Sequence, residues 1–175
     1  MAMDERLTYQ RIGEIVVLYQ WLENQLREIG WFILDPDRQH WPPTALRNVS
    51  SADLFNRVEK LFLDALPKCE LGEDLEKDFR DSFAVFAGHF ARVRQARNKI
   101  LHSAFIELKA GGEVLGLMRV DPRSMIDDES GERLFDSEML SKESFHQEFR
   151  EMADLSMFLN RCYVQLLHRL PHHEG

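Results

Sequence analysis

Arg97, Asn98 and His102 are the residues of this chain best suited to holding an anion and moving a proton, and they fall in one short stretch, Arg97-Asn98-Lys99-Ile100-Leu101-His102. A guanidinium is planar and always charged, and its fork matches a pair of phosphate oxygens. An imidazole, with an unperturbed pKa of about 6.5, can take or give a proton near neutral pH. Arg97 is also out of place. On a helical wheel with Phe83 at zero, Phe79, Phe86, Phe90, Val93, Ile100 and Ala104 share a sector roughly 100° wide. Arg97 falls at the centre of that sector. An unpaired buried cation costs on the order of several kcal/mol, so this arginine needs a partner or a task.

His102 lies five residues after Arg97, so the two point about 140° apart on an ideal helix. Asn98 and His102, four residues apart, face alike. Three arrangements could still join Arg97 to His102. The long arginine side chain could curl round, the helix end could distort, or a second copy of the chain could complete the site.

The elements that must position these groups are mostly helices. Ile12, Ile15, Val16, Tyr19, Leu22, Leu26, Ile29 and Ile33 recur at three- and four-residue steps, which predicts a helix from about Arg6 to Leu34, stopped by Asp35-Pro36-Asp37. Trp41-Pro42-Pro43 reads as a surface loop, with Trp41 folding back onto the core. Ser51 is positioned to cap a second helix, Ala52 to Ala65, with Leu54, Val58, Leu61 and Phe62 inward. Pro67 and Gly72 punctuate the connection to a third, from Glu73 to about His102, whose first turns carry Glu73, Asp74 and Glu76. Phe105 to Leu108 and Val114 to Val120 flank Lys109-Ala110-Gly111-Gly112-Glu113, which reads as a β-hairpin. Pro122 through Asp136 reads as a polar loop. A last helix is expected from about Ser141 to Leu170, burying Phe145, Phe149, Met152, Leu155, Leu159, Cys162, Leu166 and Leu170, before a frayed tail from Pro171 to Gly175. The expected fold is mainly α: an antiparallel bundle of four to five helices, one domain over residues 1–175, with a small hairpin insertion at about 105–120.

The first helix holds a second anomaly. With Ile12 at zero, Glu23 falls near 20°, among Val16, Tyr19 and Leu26 (about 100° per residue). An acid thus interrupts one apolar stripe and a base interrupts another. Glu23 and Arg97 are therefore expected to approach each other. A salt bridge that only fixes register is one reading of such a pair, and a Glu23 that snorkels to water from the stripe edge is another.

Composition narrows the class. The chain has 175 residues, 44% of them hydrophobic, which suits a packed globule. No apolar run approaches the ~20 residues of a membrane span. The N-terminal segment lacks the basic-then-apolar pattern of a signal peptide, so a cytoplasmic protein with no membrane association is expected. Cys69 and Cys162 make neither a disulfide framework nor a zinc spacing, and no cofactor or metal is expected. The net charge of −8 argues against a broad nucleic-acid-binding face. Yet from Ser82 through Ile106 there is no acid, while Arg92, Arg94, Arg97 and Lys99 fall inside that window. The strip is either a local basic surface or a solvated helix face.

The stretch from Arg97 to His102, followed by the small Ser103, resembles the signature of the HEPN superfamily: an arginine, four to six residues of which the first is polar, then a histidine. In that family the motif lies at the C-terminal end of a long helix in an all-α bundle. The phrase Trp21-Leu22-Glu23 is similar to a family habit of facing the motif helix with an acid. The resemblance implies a metal-independent endoribonuclease, of a kind that is frequently a toxin or an antiviral effector. It also implies a homodimer in which two motifs meet at one cleft, with RNA as substrate and an antitoxin protein among the partners. In such a scheme His102 moves protons, Arg97 clamps the phosphate, and Asn98 orients His102 or the phosphate. Glu23 holds Arg97, and Arg92, Arg94 and Lys99 attract the RNA backbone. The alternatives are a HEPN-like module that binds RNA, a nucleotide or a protein without catalysis, and a helical scaffold in which Glu23 and Arg97 form a purely structural pair.

The remaining signals read as structure. His89 is expected to pack or to lie at the surface, and His146 and His168 are too far apart in sequence for a ligand pair. His172-His173-Glu174 belongs to the tail, and Asp127-Asp128-Glu129 to a solvated loop. No phosphate-binding glycine loop and no nucleophile elbow occurs.

Overall fold

Three long helices and one shorter one carry most of the chain in a computed structural model, which describes residues 5–39, 43–126, 131, 133–141 and 143–170. The elements run α1 (Glu5–Leu34), α2 (Thr44–Arg47), α3 (Ser51–Ala65), a 3-10 turn (Leu66–Cys69), α4 (Glu73–His102), β1 (Ala104–Ala110), β2 (Glu113–Ile126), β3 (Arg133–Leu140) and α5 (His146–Arg169). The fold is mainly α, with a small antiparallel sheet of order β1-β2-β3. Trp41, the Asp127-Asp128-Glu129 run and the tail from Pro171 lie outside the described residues. No helix among the described residues is long and apolar enough to cross a membrane.

The chain divides into two compact units, Leu18–Arg94 with Arg150–Gly175, and Met1–Val17 with Gln95–Phe149. The first is built on aromatic side chains. Phe83 meets Phe158 edge-on at 4.8 Å, Phe86 stacks on Phe158 at 4.4 Å, and Phe62 meets Phe79 at 5.2 Å. Phe55 stacks on Phe90 at 4.9 Å, and Tyr19 on Phe90 at 5.7 Å. Centroid separations of this size are typical of offset and edge-to-face aromatic pairs, each adding about 0.5–1.5 kcal/mol beyond burial. Leu22, Leu26, Ile29, Leu54, Val58, Leu155, Leu159, Cys162 and Leu166 are buried too. Gly30 admits α2: a Cβ there would lie 2.5 Å from Leu46 Cδ1.

Helix boundaries follow local chemistry. The N-cap of α3 is Ser50, not Ser51: its Oγ accepts from the Asp53 backbone N–H and donates to the Asp53 carboxylate. Ser51 is already helical and is used elsewhere. α5 begins at His146, not near Ser141, because Phe145 sits at φ +74, in the left-handed region a helix cannot pass through. The turn before it is closed by Ser144 Oγ accepting from Ser141 N–H, and Ser141 Oγ from Glu143 N–H.

In the second unit the expected hairpin is present. Ala104 pairs with Val120 and Ala110 with Glu113, around a two-residue turn in which Gly111 and Gly112 both have positive φ. Ala104 thus belongs to β1 and not to the helical stripe. The expected polar loop from Pro122 is partly strand. β2 continues to Ile126, and Arg133–Leu140 forms β3, pairing Leu117 with Leu140 and Arg119 with Glu138. The register shifts between Val120 and Ser124, around Pro122, which has no N–H to give a ladder.

Candidate functional site

The motif helix ends as the sequence pattern requires. Acids occupy the first turn of α4, and Lys99 and His102 the last, which suits the helix dipole at the N-terminus and, through Lys99, at the C-terminus. Arg97 is half-buried, and its Nη1 donates to Asn98 Oδ1 at 3.0 Å. The Asn98 carbonyl oxygen therefore serves Arg97, where the resemblance has Asn98 serving His102 or the phosphate. His102 is exposed and makes no hydrogen bond to a described residue. α4 is helical through both residues, so Arg97 offers a cation and His102 a solvent-facing imidazole from positions five apart on the last turns of one helix.

Glu23 is buried, 7% exposed, and so does not snorkel to water from the stripe edge. Ser51 Oγ and Gln20 Nε2 donate to its carboxylate, the latter at 3.4 Å, and Arg27 lies 3.6 Å away. These contacts tie α3 to α1. Glu23 and Arg97 belong to different units, and the pairing expected between them stays an expectation.

The basic strip is less uniform than its sequence. Arg92 Nε donates to the nearly buried Glu151 carboxylate at 2.8 Å, so this arginine, expected to attract RNA, has a structural task. Arg94 is half-buried and Lys99 exposed. His89 packs against Phe86, ring centroids 5.3 Å apart. No cluster of three or more metal-ligating side chains occurs among the described residues. Burial pushes the Cys162 thiol far above its ordinary pKa, and burial followed by Glu76 raises that of Cys69.

Arg119 is the group that sequence reading passes over. It is 3% exposed in β2. Its guanidinium reaches Asp136 at 3.0 Å and Glu138 at 3.3 Å on β3, and donates to Ser103 Oγ at 3.1 Å. Ser103 Oγ in turn donates to the Lys99 carbonyl at 2.6 Å, within the last turn of α4. The sheet thereby holds the helix end from which His102 projects. Nearby, Arg123 grips Asp121 with its guanidinium and backbone N–H, which keeps that carboxyl well below the usual carboxylate range. The signal for this network was the parity of β2: Leu117, Arg119 and Asp121 share one face, and all three are buried.

No protein-family model matches the chain, and no match is found among curated proteins or solved structures.

Proposed function

We propose that this chain is a metal-independent endoribonuclease of the HEPN type, acting in the cytoplasm as a toxin or defence effector. What supports the reading is one arrangement: an arginine steadied by its neighbouring asparagine and an exposed histidine on the last turns of one long helix. RNA supplies its own nucleophile. His102 of one copy takes the 2′-OH proton, and the 2′-oxygen attacks phosphorus. The 5′-oxygen then leaves with a proton from His102 of a second copy. Arg97 stabilises the charge gathering on the phosphoryl oxygens. The products are a 2′,3′-cyclic phosphate and a 5′-hydroxyl end. Arg94 and Lys99 add sequence-independent attraction for the backbone.

The purified chain is expected to cleave single-stranded RNA in EDTA and to leave cyclic phosphate ends. His102→Ala and Arg97→Ala should each lower the rate at least ~100-fold, the scale of a lost proton-transfer group. Because His102 is exposed, His102→Ala should melt with the parent. A parent chain that leaves RNA intact, or a His102→Ala chain that cleaves as fast as the parent, refutes the proposal.

A further inference from the structure

Two adjoining cavities lie along one face of α1 in the first unit. The larger, about 420 Å³, is lined by Trp21, Asn24, Gln25 and Glu28 from α1, by Asn160 and Tyr163 from α5, and floored by Ile29 and Leu159. The smaller, about 180 Å³, shares Trp21 and Gln25 and is otherwise lined by Leu18, Leu22, Met152, Ala153 and Ser156. Trp21, Asn24, Gln25 and Glu28 are spaced i, i+3, i+4, i+7, so a single helical stripe builds the polar wall.

The lining sets the ligand's chemistry. The floor residues Ile29 and Leu159 are almost wholly inaccessible, so the surface on offer in the larger cavity is the indole of Trp21, 60% exposed, and a ring of polar groups. Three of these are amides, each able to donate and accept. Gln25 Oε1 is buried and accepts no hydrogen bond, so it asks for a donor. Tyr163 Oη already accepts from Arg38 at 2.7 Å, which leaves its O–H to donate. Glu28, the one charge in the lining among the described residues, has Arg38 at 3.5 Å. Among the described residues no cation lines either cavity, and Arg38 beside the larger one is engaged by Tyr163 and Glu28, so nothing among them favours a phosphate or carboxylate. Hydroxyl groups donate and accept together, as amides do, and the C–H face of a saturated ring lies well on an indole. Among the described residues the smaller cavity next to Trp21 has, beyond that indole, only Gln25 and Ser156 as polar lining, and it suits a short hydrocarbon.

We infer that this face of α1 and α5 binds a neutral, hydroxyl-rich ring carrying a short apolar substituent, as in an alkyl glycoside. The inference does not depend on the ribonuclease reading. Calorimetric titration of the full chain tests it with methyl β-glucoside and with octyl β-glucoside below its micelle concentration. Octyl sulfate, of equal tail and anionic head, is the control. Octyl glucoside is expected to bind at least tenfold tighter than both. Trp21→Ala and Gln25→Met should each weaken it at least tenfold, with thermal melts close to that of the parent. Ala153→Phe, which fills the smaller cavity, should abolish the advantage of the octyl over the methyl glycoside. Equal binding of octyl sulfate and octyl glucoside, unchanged binding by the Trp21 and Gln25 variants, or no heat with either glycoside overturns the inference.

Discussion

Arg119 and its two carboxylates invite an unequal pair of perturbations. Arg119 is 3% exposed, whereas the side chains of Asp136 and Glu138 are 51% and 53% exposed. Removing the cation frees two carboxylates that water can recover at once. Removing the carboxylates leaves a buried guanidinium whose remaining hydrogen-bond partner among the described residues is Ser103, with Asp121 as the neighbouring charge. Uncompensated buried charge costs about 3–5 kcal/mol, while half-exposed ion pairs contribute about 0.2–1 kcal/mol each. Arg119→Met keeps the apolar stem in place. It should cost about 1 kcal/mol, because the lost pairs are discounted by the desolvation the arginine no longer suffers. The double variant Asp136→Asn, Glu138→Gln should cost about 3 kcal/mol. For a chain of this length those values correspond to roughly 2–4 °C and 6–12 °C in Tm. Adding Arg119→Met to the double variant should restore most of the loss. Urea unfolding measures the three free energies. Amide hydrogen exchange at the end of α4 shows whether the Ser103 link carries the effect. If Arg119→Met proves costlier than the double variant, the reasoning from burial is wrong.

Two further outcomes follow from groups described above. Gly30→Ala should destabilise by about 1 kcal/mol despite the better helix propensity of alanine, because buried Leu46 must move; a chain that melts higher would show that α2 adapts freely. Asp121 is held ionised by Arg123 first, so its folded pKa lies below the unfolded value of about 3.9. A depressed pKa gives stability that is full above the unfolded value and fades as pH falls below about 4. Asp121→Asn should flatten that acid limb, and a carboxyl carbon signal of Asp121 that titrates near the unfolded value would contradict the assignment.

The long helices were legible because an apolar stripe carried over thirty residues leaves few alternatives. The first was expected from Arg6 and runs Glu5–Leu34, and the third runs Glu73–His102 as read. Short-range chemistry was harder to place. Ser50 and Ser51 are both capping residues by type, and only the bond to Asp53 N–H separates them. Phe145 reads as a core residue of the last helix, but its positive φ puts it before the start. β3 escaped detection because it is exposed along nearly its whole length, so no alternation of apolar and polar residues marks it. Of the candidate site, the positions of Arg97, Asn98 and His102 on the helix end were legible. The task of Arg92 was not, since Glu151 lies 59 residues away in the chain. Arg119 was hidden for the same reason: its partners come from a strand the pattern did not disclose.

Strand order β1-β2-β3 leaves β3 at the rim of the sheet, and Leu134, Phe135 and Met139 on it are open to solvent. A rim of that kind is a template on which a stray extended chain can add itself. Asp136 and Glu138 stand along it as like charges that repel a second such strand. The anchors of Arg119 therefore double as the guard against self-association. Conditions that neutralise them loosen the end of the motif helix and raise the tendency to aggregate in one step.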